Sequence, residues 1–124
     1  MAVSMNVTLR NNRLDQITAF AGAGAKLRVY TAAYAAVLYE STCAATLAAA
    51  AASGVLTFNA VANATATGTG VAAIARLLKA DGTTVVLEGL TVGTSGTNIV
   101  ITNTTIAVND NVTTSSATIT EGNP

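Results

Sequence analysis

Histidine and tryptophan are absent from this 124-residue chain and cysteine occurs once, so the residue types that most often do chemistry are nearly all missing. Without an imidazole there is no Ser-His-Asp or Cys-His pair, and the amines left to activate a nucleophile are Lys26 and Lys79. Neither lies in a recognisable motif, and both read as charges at strand ends. The acids Asp15, Glu40, Asp81, Glu88, Asp110 and Glu121 are scattered, so neither a carboxylate pair for glycoside cleavage nor a calcium loop is written in the order of residues. Asn109-Asp110-Asn111 offers oxygen ligands but reads first as an Asx-type turn. Gly68-x-Gly70-x-x-Ala73, with Glu88 further on, imitates the dinucleotide fingerprint; residues 71–89 read as a strand and a hairpin, not as the rest of a βαβ unit. The expectation is a protein that is not an enzyme and has no catalytic residue, cofactor or metal site.

The elements left to be positioned are built from small residues. Apolar residues make up 51% of the chain but aromatics only 4%, so the core must consist of many small aliphatic contacts, each contributing about 1–3 kcal/mol when fully covered. Charged residues are 10% against about 25% in an average domain. Such a neutral surface of Thr, Ser and Asn favours association, because little self-repulsion keeps copies apart. Arg10, Arg13, Lys26, Arg28, Arg76 and Lys79 balance the six acids and are too scattered to form the basic stripe that phosphate binding needs, so no nucleic acid partner is expected. The Ala-rich run from 43 to 52 is far shorter than the roughly 20 residues of a membrane span, and residues 1–10 lack a basic segment followed by an apolar one. Neither membrane association nor secretion is expected. Cys43 has no partner in the chain and reads as a small buried apolar residue or an inert thiol.

Residues 1–10 alternate, with Val3, Met5, Val7 and Leu9 on one side, and read as an N-terminal arm or first strand. Asn11 or Asn12 would then cap a short helix over 11–22, with Leu14, Ile17 and Phe20 as its packed face and Gly22 and Gly24 as its stop. The period changes to two at Lys26: Leu27 and Val29 face one way, Arg28 and Tyr30 the other. A second segment, 35–40, would set Val37 and Tyr39 against Leu38. Residues 44–52 could form a helix by propensity, but the Ser53-Gly54 break and the strand-like 55–58 favour an extended path. Residues 71–79 read as a strand, Asp81-Gly82 as a hairpin turn into 83–89, Gly93-Thr94-Ser95-Gly96 as another turn, and 98–102, 105–108 and 112–120 as further strands. This pattern predicts one all-β, mainly antiparallel domain over 1–124, with a β-sandwich or jelly roll spanning 26–121 after the helix.

The segment Leu9-Arg10-Asn11-Asn12-Arg13-Leu14-Asp15-Gln16-Ile17-Thr18, running through Gly22-Ala23-Gly24-Ala25 into Lys26-Leu27-Arg28-Val29-Tyr30, resembles the start of a family of small tailed-phage proteins encoded near the major capsid protein. The likeness continues at Thr67-Gly68-Thr69-Gly70, at Asp81-Gly82-Thr83 and from Val92 to Asn123, and so touches most of the chain. Residues 44–52 depart from the family, whose members carry more Leu, Phe and Pro there. The resemblance implies a capsid cement or decoration protein with a jelly-roll-like sandwich, placed on the virion surface after synthesis in the host bacterial cytoplasm.

On that reading the partners are the major capsid protein and further copies of the chain, as a homo-dimer or homo-trimer. The capsid contacts are expected at Val3, Met5, Val7 and Leu9, which could add a strand to an exposed edge, and at Arg10 and Arg13, which could pair with capsid acids. The competing readings are an internal first strand for the arm and a solvated helix start for the two arginines. A neck or tail component and a head appendage that binds host-surface carbohydrate are the alternative functions.

Overall fold

A computed structural model describes residues 6–120. Helix α1 (Val7–Ala21) comes first. After it come β1 (Lys26–Tyr30), β2 (Val37–Thr42), β3 (Val55–Thr57), β4 (Ala64–Thr65), β5 (Gly70–Val71), β6 (Ile74–Leu78), β7 (Val85–Gly93), β8 (Ile99–Ile101), β9 (Thr105–Ile106), β10 (Asn111–Val112) and β11 (Thr114–Thr120). Strands account for 43% of the structure and helix for 16%, and the architecture is an all-β, mainly antiparallel domain around a curled sheet. That sheet has seven strands in the order β2-β1-β6-β7-β8-β11-β3, and two ribbons, β10-β4 and β5-β9, accompany it.

The helix begins four residues earlier than its sequence suggests. Asn6, not Asn11 or Asn12, is the N-cap: its side chain accepts a hydrogen bond from the Thr8 amide at 2.8 Å and supplies the acceptor that a free helix start lacks. Val7, Leu9 and Arg10 are therefore helical rather than part of a strand-like arm, while Val3 and Met5 lie outside the described residues. The alternation of Val7 and Leu9 misleads because the inward stripe runs through Arg10, Leu14, Ile17 and Ala21, at helical spacing. Leu14 and Ala21 are buried and Ile17 packs on the core, but Phe20 is 53% exposed and does not join the packed face. Gly22, at φ 70°, ends the helix as expected, its amide bonding back to Thr18 in a backbone conformation that glycine reaches without steric cost.

In β1, Leu27 and Val29 point into the core as predicted. The β2 expectation fails at a β-bulge: register runs Val29↔Tyr39 and then Tyr30↔Val37, leaving Leu38 as the extra residue. Val37 is turned outward, whereas Leu38 is buried under the chain from Thr67 to Gly70, whose Thr67 and Gly68 amides donate to the Leu38 carbonyl. Residues 44–52 are extended, as favoured. They run along the outer edge of β3, forming bridges at Ala48↔Phe58 and Ala52↔Val55 and burying Leu47.

Both outer edges of the long sheet are thus covered by chain, which leaves few unpaired backbone groups to template association there. The Asp81-Gly82 hairpin joins β6 to β7. The expected strands over 71–79 and 112–120 are each divided between a short ribbon and the long sheet, at residues 72–73 and at Thr113. The turn at 93–96 does not make a hairpin: β8 lies parallel to β7, with Val92 opposite Ile99. Asn98 makes this possible. Its side-chain oxygen accepts from the Thr91 amide and hydroxyl, and its amide nitrogen reaches the Thr118 carbonyl, so one side chain bridges β7 and β11 where a ladder is missing.

Candidate interaction surface

Two outward-facing arrays are built on this frame. The first is the outer side of α1. Asn11 and Asp15 sit one turn apart on its inner flank: the Asn11 Oδ1 accepts from the Gly54 amide at 2.9 Å and the Asp15 Oδ1 from the Ala51 amide at 2.7 Å. The two polar residues thereby clamp the helix to the chain that covers β3. On the opposite flank Leu9, Arg13, Gln16 and Phe20 recur at intervals of four, three and four, one stripe of a helix. All four are exposed, with Leu9 at 48% and Phe20 at 53%. These two large apolar residues stand roughly 16 Å apart along the axis. Val7 is also exposed, at 41%, and the Lys79 ammonium lies 4.3 Å from the Phe20 ring centroid.

Of the predicted contact residues, the structure thus places Leu9 and Arg13 on one stripe, with Val7 at the helix start and Arg10 turned partly inward. Gln16 and Phe20 complete the stripe without having been expected there. Their signal is the spacing from Leu9, which becomes visible only when the helix is started at Val7.

The second array crosses the outer face of β2, β1, β6 and β7. Arg28 stands opposite Glu40 on one side and Arg76 on the other. Its Nε donates to Glu40 at 2.7 Å and its Nη2 to the Gly82 carbonyl at 3.2 Å. Arg76 pairs with Glu88 at 3.4 Å, so the like charges at the centre of the row are each balanced on the outside. The Arg76 guanidinium also lies 3.9 Å from the Tyr34 ring centroid and 5.3 Å from that of Tyr30, and the two rings meet edge-on at 5.1 Å. Ala33 and Tyr34 adopt positive φ of 57° and 58°, a strained conformation for side-chain-bearing residues. The strain is held by the Tyr34 hydroxyl, which accepts from the Gly89 amide at 2.6 Å.

The groups that could do chemistry are otherwise engaged in structure. Asp81 accepts from Thr83 and Thr84, and Asp110 accepts from the Ala107 amide. Lys26 donates to the Thr42 hydroxyl. Of Asn109-Asp110-Asn111, Asn109 lies in the turn closed by the Asp110 amide on the Ala107 carbonyl, at φ 75°, whereas Asn111 already opens β10. A pocket of about 190 Å³ beside this turn is lined by Asn103, Thr105, Asp110 and Asn111 among others; the Asn103 Oδ1 there accepts from the Thr105 amide and the Asp110 Oδ2 from the Ala107 amide. Among the described residues no three metal-ligating side chains gather, and no helix is long and apolar enough to cross a membrane. Cys43 is buried, and desolvation pushes its thiol up to about 11 against the weaker pull of Lys26. No family model, no curated protein and no solved structure matches the chain.

Proposed function

We propose that this chain is a structural virion protein, a capsid cement or decoration protein that binds the outer surface of a phage head as a homo-oligomer and bridges adjacent capsomers. The sequence resemblance suggests the role, and the observation that carries it is the outer stripe of α1. A helix clamped to the domain by Asn11 and Asp15 presents Leu9 and Phe20 to solvent on one line, a rigid apolar feature that the domain's own core does not use. Val7, Leu9 and Phe20 supply the apolar contacts and Arg13 a charged one; Val3 and Met5, expected contacts as well, lie outside the described residues. Arg10, half-buried at the start of the helix, is the second cation proposed to meet capsid acids.

The mechanism is mass action. A subunit that binds only the assembled lattice stabilises it by RT ln(1 + [L]/Kd), and several linked contacts raise the effective concentration for each further one. The partners are the major capsid protein and other copies of this chain, in dimers or trimers.

Densitometry of purified particles tests the reading. A cement protein is present in proportion to capsomers, and particles stripped of it burst at lower temperature or osmotic stress. A ring-forming neck or tail component would be present in the copy number of a single ring, which would end the cement proposal. The carbohydrate alternative finds no open platform at Tyr34, whose ring is stacked on Arg76 and edge-packed on Tyr30; the exposed aromatic among the described residues is Phe20, with the Lys79 ammonium 4.3 Å from its centroid.

A further inference from the structure

Asp81-Gly82 is the one Asp-Gly step in the sequence. Such a step is prone to spontaneous isomerisation because glycine has no side chain to shield its amide nitrogen. In that reaction the Gly82 nitrogen attacks Cγ of the protonated Asp81 carboxyl. A C–N bond forms, the C–OH bond of the carboxyl breaks, and the hydroxyl leaves with the amide proton as water, giving a cyclic succinimide. Water then reopens the ring. Addition at the Asp81 main-chain carbonyl carbon breaks its bond to Gly82 and leaves the backbone running through Cγ, as isoaspartate.

Both reacting groups are restrained here. The Gly82 amide proton is donated to the Lys79 carbonyl at 2.9 Å, and the Gly82 carbonyl is held by Arg28 Nη2, itself fixed by Glu40. On Asp81, Oδ1 accepts from the Thr83 and Thr84 amides at 2.8 and 2.9 Å, and Oδ2 accepts from the Thr84 hydroxyl at 2.6 Å. Both carboxyl oxygens are thus engaged by donors on the far side of the turn. Charge-assisted bonds of this kind favour the ionised form, and the Thr84 hydroxyl, foremost among them, holds Asp81 well below the usual carboxylate range. The reactive neutral acid is correspondingly scarce.

We infer that the folded hairpin suppresses isoaspartate formation at Asp81, and that the Thr84 hydroxyl is the side chain that locks the carboxyl in its unreactive arrangement. The inference is independent of the capsid proposal. Its consequence is durability: isoaspartate would insert an extra backbone carbon into the turn and dislodge the Lys79 to Thr84 bond and the Leu78↔Val85 pair beyond it.

The test ages folded wild type, wild type unfolded in urea, and folded Thr84→Val and Thr84→Ser variants at neutral pH and physiological temperature. Isoaspartate at residue 81 is read by mass spectrometry of the tryptic peptide that begins at Ala80. The unfolded chain should isomerise several-fold faster than the folded one; Thr84→Val should fall between them, and Thr84→Ser, which keeps the hydroxyl, should match wild type. Circular dichroism establishes that the variants are folded, and Thr84→Ala replaces Thr84→Val if that variant is not. Equal rates for folded and unfolded wild type would overturn the inference. So would a folded variant without the hydroxyl that ages no faster than wild type.

Discussion

Tyr39 and Cys43 are buried where desolvation favours their neutral forms, and they make the chain's stability depend on alkaline pH. Desolvation pushes Tyr39 up to about 12, against a smaller opposing influence of the nearby Thr114, and Cys43 up to about 11. In the unfolded chain they ionise near 10 and 9, so above those values the unfolded state has lost protons that the folded state retains. Stability from these two groups is fully present below about pH 9 and declines as pH rises toward 12. Urea midpoints measured across that range should fall, and Cys43→Ala with Tyr39→Phe should flatten the decline. Iodoacetamide should also label Cys43 slowly at about pH 8 until urea unfolds the chain. Ala33 marks the other residue-scale cost. Its φ of 57° is a conformation glycine adopts freely, so Ala33→Gly is expected to raise stability by up to about 1 kcal/mol, the relief of strain outweighing the added freedom of the unfolded chain. A lower urea midpoint for this variant would contradict the strain assignment.

The elements are held together by side chains that repair what secondary structure leaves open. Asp15 exemplifies this, since its carboxylate receives the Ala51 amide that no ladder pairs. Asp15→Ala leaves that donor without its acceptor, and a loss of about 1–3 kcal/mol is expected in denaturant unfolding. Hydrogen exchange should show residues 51–54 losing protection together with α1, because both are tied by the same clamp. On the opposite edge, a Cβ at Gly68 would fall within van der Waals contact of the Val37 carbonyl oxygen. Backbone must therefore move if Gly68 is replaced, and Gly68→Ala should destabilise by about 1–3 kcal/mol. Its signature should be increased exchange at Leu38 and its neighbours, since the Thr67–Gly70 chain is what covers them.

For the whole molecule, low charge and covered sheet edges leave the outer stripe of α1, with Leu9 and Phe20, as an exposed apolar line, beside single exposed valines at Val37, Val71, Val85 and Val108. Leu9→Asp combined with Phe20→Asp should leave the thermal midpoint nearly unchanged, as expected of exposed positions, while abolishing recruitment to stripped particles in a co-sedimentation assay. Unimpaired recruitment of the folded double variant would remove the stripe from the proposed interface. The sequence alone determined the features that depend on near neighbours: the all-β class, the inward Leu27 and Val29, the helix stop at Gly22 and the Asp81-Gly82 hairpin. Each arises from local periodicity or turn chemistry. Tertiary structure decided the rest. The Val7 start of α1 rests on the Asn6 cap and on an inward stripe whose Leu14, Ile17 and Ala21 pack on the core. The bulge at Leu38 needed the Thr67–Gly70 chain to cover it, and the parallel β7-β8 pair needed Asn98 to reach Thr91 and Thr118. The row Glu40, Arg28, Arg76 and Glu88 likewise exists only through strand register. The physical reason is distance along the chain: period and turn type are set within a few residues, whereas a pairing partner is supplied by whichever remote segment the core brings alongside.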